Sequence, residues 1–130
     1  MPNSYQHSVA GCITGLSVMG ILELISQSNA VQTNQCSRID WSAVIGKATA
    51  GAAIGTIAGN IPDILEPATN PYHRQFFHSE TSAILAIAGL CKVGLSKMDN
   101  RSKQLLACLV AGYLVHLNDD SKTEFGLPAF

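Results

Sequence analysis

The chain predicts an all-α fold, a compact bundle of about four helices. Uncharged runs of helical length recur along its 130 residues, and no stretch alternates strand-forming residues with a period of two. Proline and short polar clusters separate those runs. The first helix is predicted from about Ser8 to Ser26, and the mostly polar stretch Gln27 to Gln35 after it reads as a loop. Capping side chains at Asp40-Trp41-Ser42 open a second helix near Asp40 or Ser42, which runs through a Gly/Ala-rich segment to Asn60, with Pro62 marking its end.

From Ile61 to Tyr72 the prolines Pro62, Pro67 and Pro71 remove amides and fix φ, so this segment reads as an irregular, ligand-bearing loop between helices two and three. The third helix begins at His73 or Ser79 and ends near Leu95. The polar turn Ser96 to Arg101 leads into a fourth, from Ser102 to about Asn118. The tail from Asp119 to Phe130, with Gly126 and Pro128, is predicted as an irregular extension packed near the site. Gly11 and Gly15, then Gly51, Gly55 and Gly59, recur every four positions and so stack on one helical face, where two backbones can approach closely.

Length and mass, 13.7 kDa, fit a single domain over residues 1–130. Eight basic and nine acidic side chains provide no broad basic surface for nucleic acid. Hydrophobic residues make up 47% and charged ones 13%, so membrane insertion has to be weighed. The uncharged runs Ser8–Leu22, Ala48–Pro62, Ser82–Cys91 and Leu105–Asn118 are shorter than the roughly 20 residues of a bilayer span. They reach that length only by absorbing Glu23, Lys47, Lys92 or Lys103 at their edges. The reading favours buried helices of a cytoplasmic bundle, open to homo-oligomerisation, over membrane association. The start Met-Pro-Asn-Ser-Tyr-Gln-His lacks the basic region of a cleavable signal. Cys12, Cys36, Cys91 and Cys108 lack ligand spacing and read as buried, reduced thiols.

The chemistry-bearing residues cluster. His116 and Asp120, four apart, project from one helical face and can share an ion, while Asp119 points elsewhere. His73 and His78 flank Phe76 and Phe77, which are expected to wall the ligands from water; Asp63 follows Pro62 as a carboxylate in a rigid turn. Imidazole with carboxylate suits borderline divalent ions, zinc first, with manganese or magnesium as alternatives. Arg74, always charged, suits a bidentate clamp on a substrate phosphate. Ser79 is expected to bond a ligand or cap a helix. His7 gains interest only alongside these clusters.

Taken in order, His7 and Gly11, Pro62-Asp63, His73-Arg74, His78-Ser79, Gly112-Tyr113-Leu114, His116, Asp120 and Thr123, and more loosely Gly126 and Pro128, form a pattern that resembles the YdjM-like family of metal-dependent hydrolases, often described as inner-membrane proteins. The family's ligand pattern is in turn similar to that of the all-α zinc-dependent phospholipase C superfamily. Leu65 and Gln75 stand where family members commonly carry aspartate and glycine, and Glu66 is the carboxylate placed to replace the first. The resemblance implies one to three divalent ions held among His7, Asp63, Glu66, His73, His78, His116 and Asp120, with Arg74 and Asp120 taking direct catalytic parts. The implied activity is hydrolysis of a phosphate-containing substrate by a metal-activated water. Two alternatives are a small membrane-associated protein with a structural ion and a regulator that binds a partner through Phe76, Phe77 and the proline segment.

Overall fold

The computed structural model describes residues 4–67, 76–123 and 126–129. Four long helices, α1 (Ser4–Gln32), α2 (Trp41–Ala58), α4 (Glu80–Leu95) and α5 (Asn100–Ser121), carry the fold. A short α3 (Ile61–Leu65) and one 3-10 turn (Phe76–His78) lie between α2 and α4, and there is no strand among the described residues. The predicted all-α bundle is the fold found.

Several boundaries move. The predicted loop at Gln27 to Gln35 is helical as far as Gln32, because polar residues without glycine or proline do not stop a helix. Gln27 donates to Glu23 one turn earlier at 2.9 Å. The stop comes at Asn34, whose φ of 56° turns the chain while the amide of Gln35 reaches back to the Ala30 carbonyl at 2.8 Å. α2 starts as expected, with Asp40 accepting from the amides of Ser42 and Ala43. The expectation of an irregular Ile61–Tyr72 is corrected at its start: Pro62 sits in the first turn of α3, where a missing N–H costs nothing. Asp63 is therefore on a helix rather than in a turn, and residues 68–72 lie outside the described residues. Ser79 caps α4 through the Ser82 amide, and Asp99 caps α5 through that of Ser102, so α5 begins before the predicted Ser102. α5 also runs past Asn118 to Ser121, placing Asp119 and Asp120 in helix rather than tail.

Glycine sets the packing. α1 and α2 run antiparallel with backbones in direct contact: a Cβ at Gly15 would fall on the Gly51 carbonyl oxygen, and one at Gly11 on that of Gly55. The four-residue repeat is a seam. α5 lies along it, with Gly112 against Ala58 and Gly55, and the Cys108 thiol buried against the carbonyls of Gly15 and Gly51. α4 leans chiefly on α5.

A bundle packed through glycine has little apolar core. Met19, Val44, Ala58, Cys108 and Leu117 are its buried hydrophobic side chains, whereas Ile13, Ile45, Ile57 and Ile84 each expose between 61% and 65% of their surface. The expected burial of the apolar helices is corrected: they are apolar all round and their outward faces are bare. α1 is long and apolar enough to cross a membrane, and only 17% of its most apolar 18-residue stretch is buried. Among the cysteines only Cys108 is buried; Cys36 and Cys91 are exposed, contrary to expectation, because Cys36 lies beyond α1 and Cys91 on an outer face of α4.

Candidate metal centre

Five side chains meet at the end of the bundle where α1 begins, α2 and α5 finish, and α4 starts. His7 comes from the first turn of α1, Asp63 from α3, His78 from the 3-10 turn, and His116 and Asp120 from successive turns of α5. The glycine seam brings them together. Gly59 allows the backbone of α1 to pass, since a Cβ there would stand 2.8 Å from the His7 carbonyl oxygen. Asn60 ties the same two helices, accepting from Ser4 and donating to Ser8 at 3.1 and 3.0 Å.

Hydrogen bonds fix how each imidazole faces. The Gly59 carbonyl can only accept, so His116 donates to it from Nδ1 at 2.7 Å and presents the Nε2 lone pair to the cluster. Likewise His78 donates from Nδ1 to Glu66 Oε2 at 2.9 Å, and its Nε2 faces inward. The two Nε2 atoms are 3.2 Å apart. As neutral rings they point lone pair at lone pair, an arrangement that a proton or a metal cation relieves.

The surrounding carboxylates intensify that demand. Asp63 Oδ1 stands 3.3 Å from His78 Nε2 and 3.7 Å from His116 Nε2, and Asp120 Oδ2 stands 3.7 and 3.4 Å from the same atoms. Donors around a zinc ion at about 2.0–2.1 Å are separated by roughly 3.3 Å, so each of these five spacings is close to that of two ligands sharing an ion. His7 flanks the set. Its ring stacks on His116 with centroids 3.8 Å apart, Nε2 lies 3.8 Å from Asp120 Oδ1, and Nδ1 is buried without a hydrogen-bond partner. A buried orphan nitrogen beside a cluster of ligand atoms is what an ion-binding pocket leaves when only the protein is considered.

Two ligand groupings are possible, His78 with His116 and Asp120, and His7 with Asp63 and His116. Both draw on His116, whose Nδ1 is committed to Gly59, so a single inward lone pair serves one ion. The charge balance points the same way. Burial lowers the pKa of His78, but Asp63, Glu66 and Asp120 outweigh it and leave that pKa raised; the hydrogen bond from His78 chiefly holds the Asp63 carboxyl below its ordinary value. A proton on His78 is the weaker substitute for the missing positive charge.

Among the described members of the set, one alone has an exposed side chain. The side chains of His7, His78, His116 and Asp120 are at most 4% exposed, whereas that of Asp63 is 37% exposed. Asp63 is the member of the set open to solvent. Phe76 and Phe77, expected to seal the ligands from water, instead meet edge to face at the rim and remain 46% and 36% exposed. Ile64 and Leu65, which follow Asp63 in the chain, are exposed as well.

Of the residues predicted from sequence, Asp63, His78, His116, Asp120 and His7 converge. Glu66 stands behind His78, accepting from its Nδ1 and from the Phe77 amide, where it orients the ring rather than facing the lone pairs. His73 and Arg74 lie outside the described residues. Asp119 turns away to Lys122 at 3.2 Å, as expected, and Ser79 caps α4. Residues 126–129 do pack beside the site, the Pro128 carbonyl accepting from the Glu80 amide. Sequence reasoning missed the Gly59 carbonyl and the part of Tyr113, whose hydroxyl bonds Ser82 at 2.7 Å and the Phe77 carbonyl at 2.6 Å and so fixes the 3-10 turn bearing His78. No protein-family model, curated protein or solved structure matches this chain. The donor set must speak for itself.

Proposed function

We propose that this protein is a membrane-embedded metallohydrolase whose substrate is a phosphoester. The observation that carries the reading is the facing pair His78 Nε2 and His116 Nε2, bracketed by two carboxylates and open to solvent on one edge. Asp63, His78, His116 and Asp120 would hold one divalent ion, with His7 beside it; zinc fits this mixed imidazole and carboxylate set best. When bound, such an ion supplies a Lewis acid and a water of lowered pKa. A purely structural ion is normally closed by its protein ligands, and the exposed edge at Asp63 favours catalysis over that role.

The chain's own groups divide the remaining work. Glu66 and Gly59 hold the two imidazoles in the tautomer that leaves Nε2 free. Asp120 spans His7 on one oxygen and the His78/His116 pair on the other. Asp63 would hold the ion through Oδ1, which faces the two Nε2 atoms, and its other oxygen would accept a proton from an attacking water. The phosphoester class rests on the resemblance to the YdjM-like hydrolases and on Arg74, a guanidinium eight residues past Glu66 in sequence and suited to phosphate oxygens. Membrane embedding rests on the bare isoleucines of α1, α2 and α4, the exposed Leu105 of α5, and the length and apolarity of α1.

The test is metal analysis of protein extracted in mild detergent, followed by assays on a phosphomonoester, a phosphodiester and phospholipid vesicles. One ion per chain is expected, with turnover of at least one substrate that a chelator stops and zinc restores. Asp63→Asn should abolish turnover. Metal-replete protein that leaves all three substrate classes untouched would sink the hydrolase.

A further inference from the structure

Building on the membrane reading above, we infer that the metal centre opens on the face of the membrane opposite the cytoplasm. The ring of lysines and arginines at the far end of the bundle is then its cytoplasmic anchor. The observation is how charge is distributed along the four helices. Below the acids of the site end, Glu80 on α4 and Asp119 and Asp120 on α5, each helix is uncharged until one residue: Glu23 on α1, Lys47 on α2, Lys92 on α4 and Lys103 on α5.

Those residues form one level. Lys47 Nζ lies 3.5 Å from Glu23 Oε2 and 2.9 Å from Gln104 Oε1, and Lys103 Nζ reaches the Gly94 carbonyl of α4 at 3.0 Å. From Ser8 to Leu22 the uncharged slab measures roughly 22 Å at 1.5 Å per residue. Lysine stems snorkelling outward and local thinning extend the match toward the roughly 30 Å hydrocarbon core. Tyr5 and Trp41, 75% and 59% exposed, stand at opposite ends of the slab, where interfacial aromatics belong.

The two ends differ in sign. Beyond the level of Lys47 come Arg38, Lys97 and Arg101, all exposed, so six of the seven described Lys and Arg side chains are at the far end. The site end has Lys122, paired with Asp119, among the acids Asp63, Glu66, Glu80 and Asp120. Cations flanking spans are retained on the cytoplasmic side, where anionic lipids attract them and the membrane potential opposes their export. α1 begins and α5 ends at the site end, so both ends of the described chain face away from the cytoplasm. The solvent-exposed ligand Asp63 and the exposed Ile64, Leu65 and Phe76 lie at that surface. Substrate must reach the site from there.

The test uses the full chain expressed in a bacterial host. Carbonate extraction comes first: release into the supernatant would overturn the membrane reading and this inference with it. For protein that stays in the membrane, a variant keeping only Cys36, on the α1–α2 connection at the far end, is compared with one carrying Lys122→Cys as its sole thiol. Both are treated with a membrane-impermeant maleimide in intact spheroplasts. Labelling of the Lys122→Cys variant, with Cys36 labelled only after permeabilisation, is expected. The reverse pattern overturns the inference while leaving embedding intact. A C-terminal alkaline phosphatase fusion to the unaltered sequence checks the result without substitutions; it should be active, and an inactive phosphatase with a fluorescent cytoplasmic-reporter fusion would overturn the orientation.

Discussion

The bundle holds two internal polar clusters, one at each end, and they are built on opposite logic. At the far end Lys47 bonds Gln104 and pairs with Glu23, Gln27 donates to Glu23, and Gln27 Oε1 accepts from the Asp40 amide at 2.6 Å. Cation meets anion and donor meets acceptor. At the site end lone pairs and carboxylates face one another, with the hydrogens of His78 Nδ1 and His116 Nδ1 directed outward to Glu66 and Gly59. The first cluster is complete as protein and fastens three helices. The second carries a deficit of positive charge that protein groups do not fill, and this is the mark of a binding site rather than a fastener.

Removing a group from each end should therefore have different consequences. The largest effect is expected from His116→Ala, which deletes the imidazole common to both ligand groupings. Metal analysis after gel filtration in detergent should find essentially no ion, while Lys47→Met retains a full equivalent. If His116→Ala keeps its metal, the ion is elsewhere. Next is Glu66→Gln, which leaves every inward-facing atom in place but weakens the carboxylate behind His78. Loss of an outer partner typically costs roughly 10–100-fold in metal affinity, to be read by competition with a chromogenic chelator. An unchanged affinity would return Glu66 to a bystander's part.

How far these clusters can be read from sequence follows from the range of the signals. Asp40, Ser79 and Pro62 act within a turn of themselves, so caps and breaks are legible, except where proline opens a helix, as it does at α3. The His116/Asp120 pair is legible because four residues is one helical turn. Glycine spacing shows that two backbones touch but not which ones, and the contact of Gly15 with Gly51 exists only in the folded chain. The Glu23–Lys47–Gln104 cluster left no sequence signal, because its members are isolated charges and an amide on three helices. Facing tautomers are equally silent, since the partners of His78 and His116 are a carboxylate in another element and a backbone carbonyl. Nor can helices that are apolar on every side announce which face is buried. The choice between core and bilayer turns on Ile13, Ile45, Ile57 and Ile84, whose exposure only packing decides.

The smallest effects belong to the complete cluster, and they are diagnostic because they should be reversible. Lys47→Met leaves Gln104, 8% exposed, and a largely buried Glu23 carboxylate without their cation, at an expected cost of about 1–3 kcal/mol. Adding Glu23→Gln removes the stranded charge. The double variant should recover much of the loss, as thermal unfolding in detergent with zinc present would show, because a balanced pair can be deleted as a pair. A double variant no more stable than Lys47→Met alone would mean that the charge of Glu23 was not the source of the cost. The far end would then be held by packing rather than by its closed set of partners.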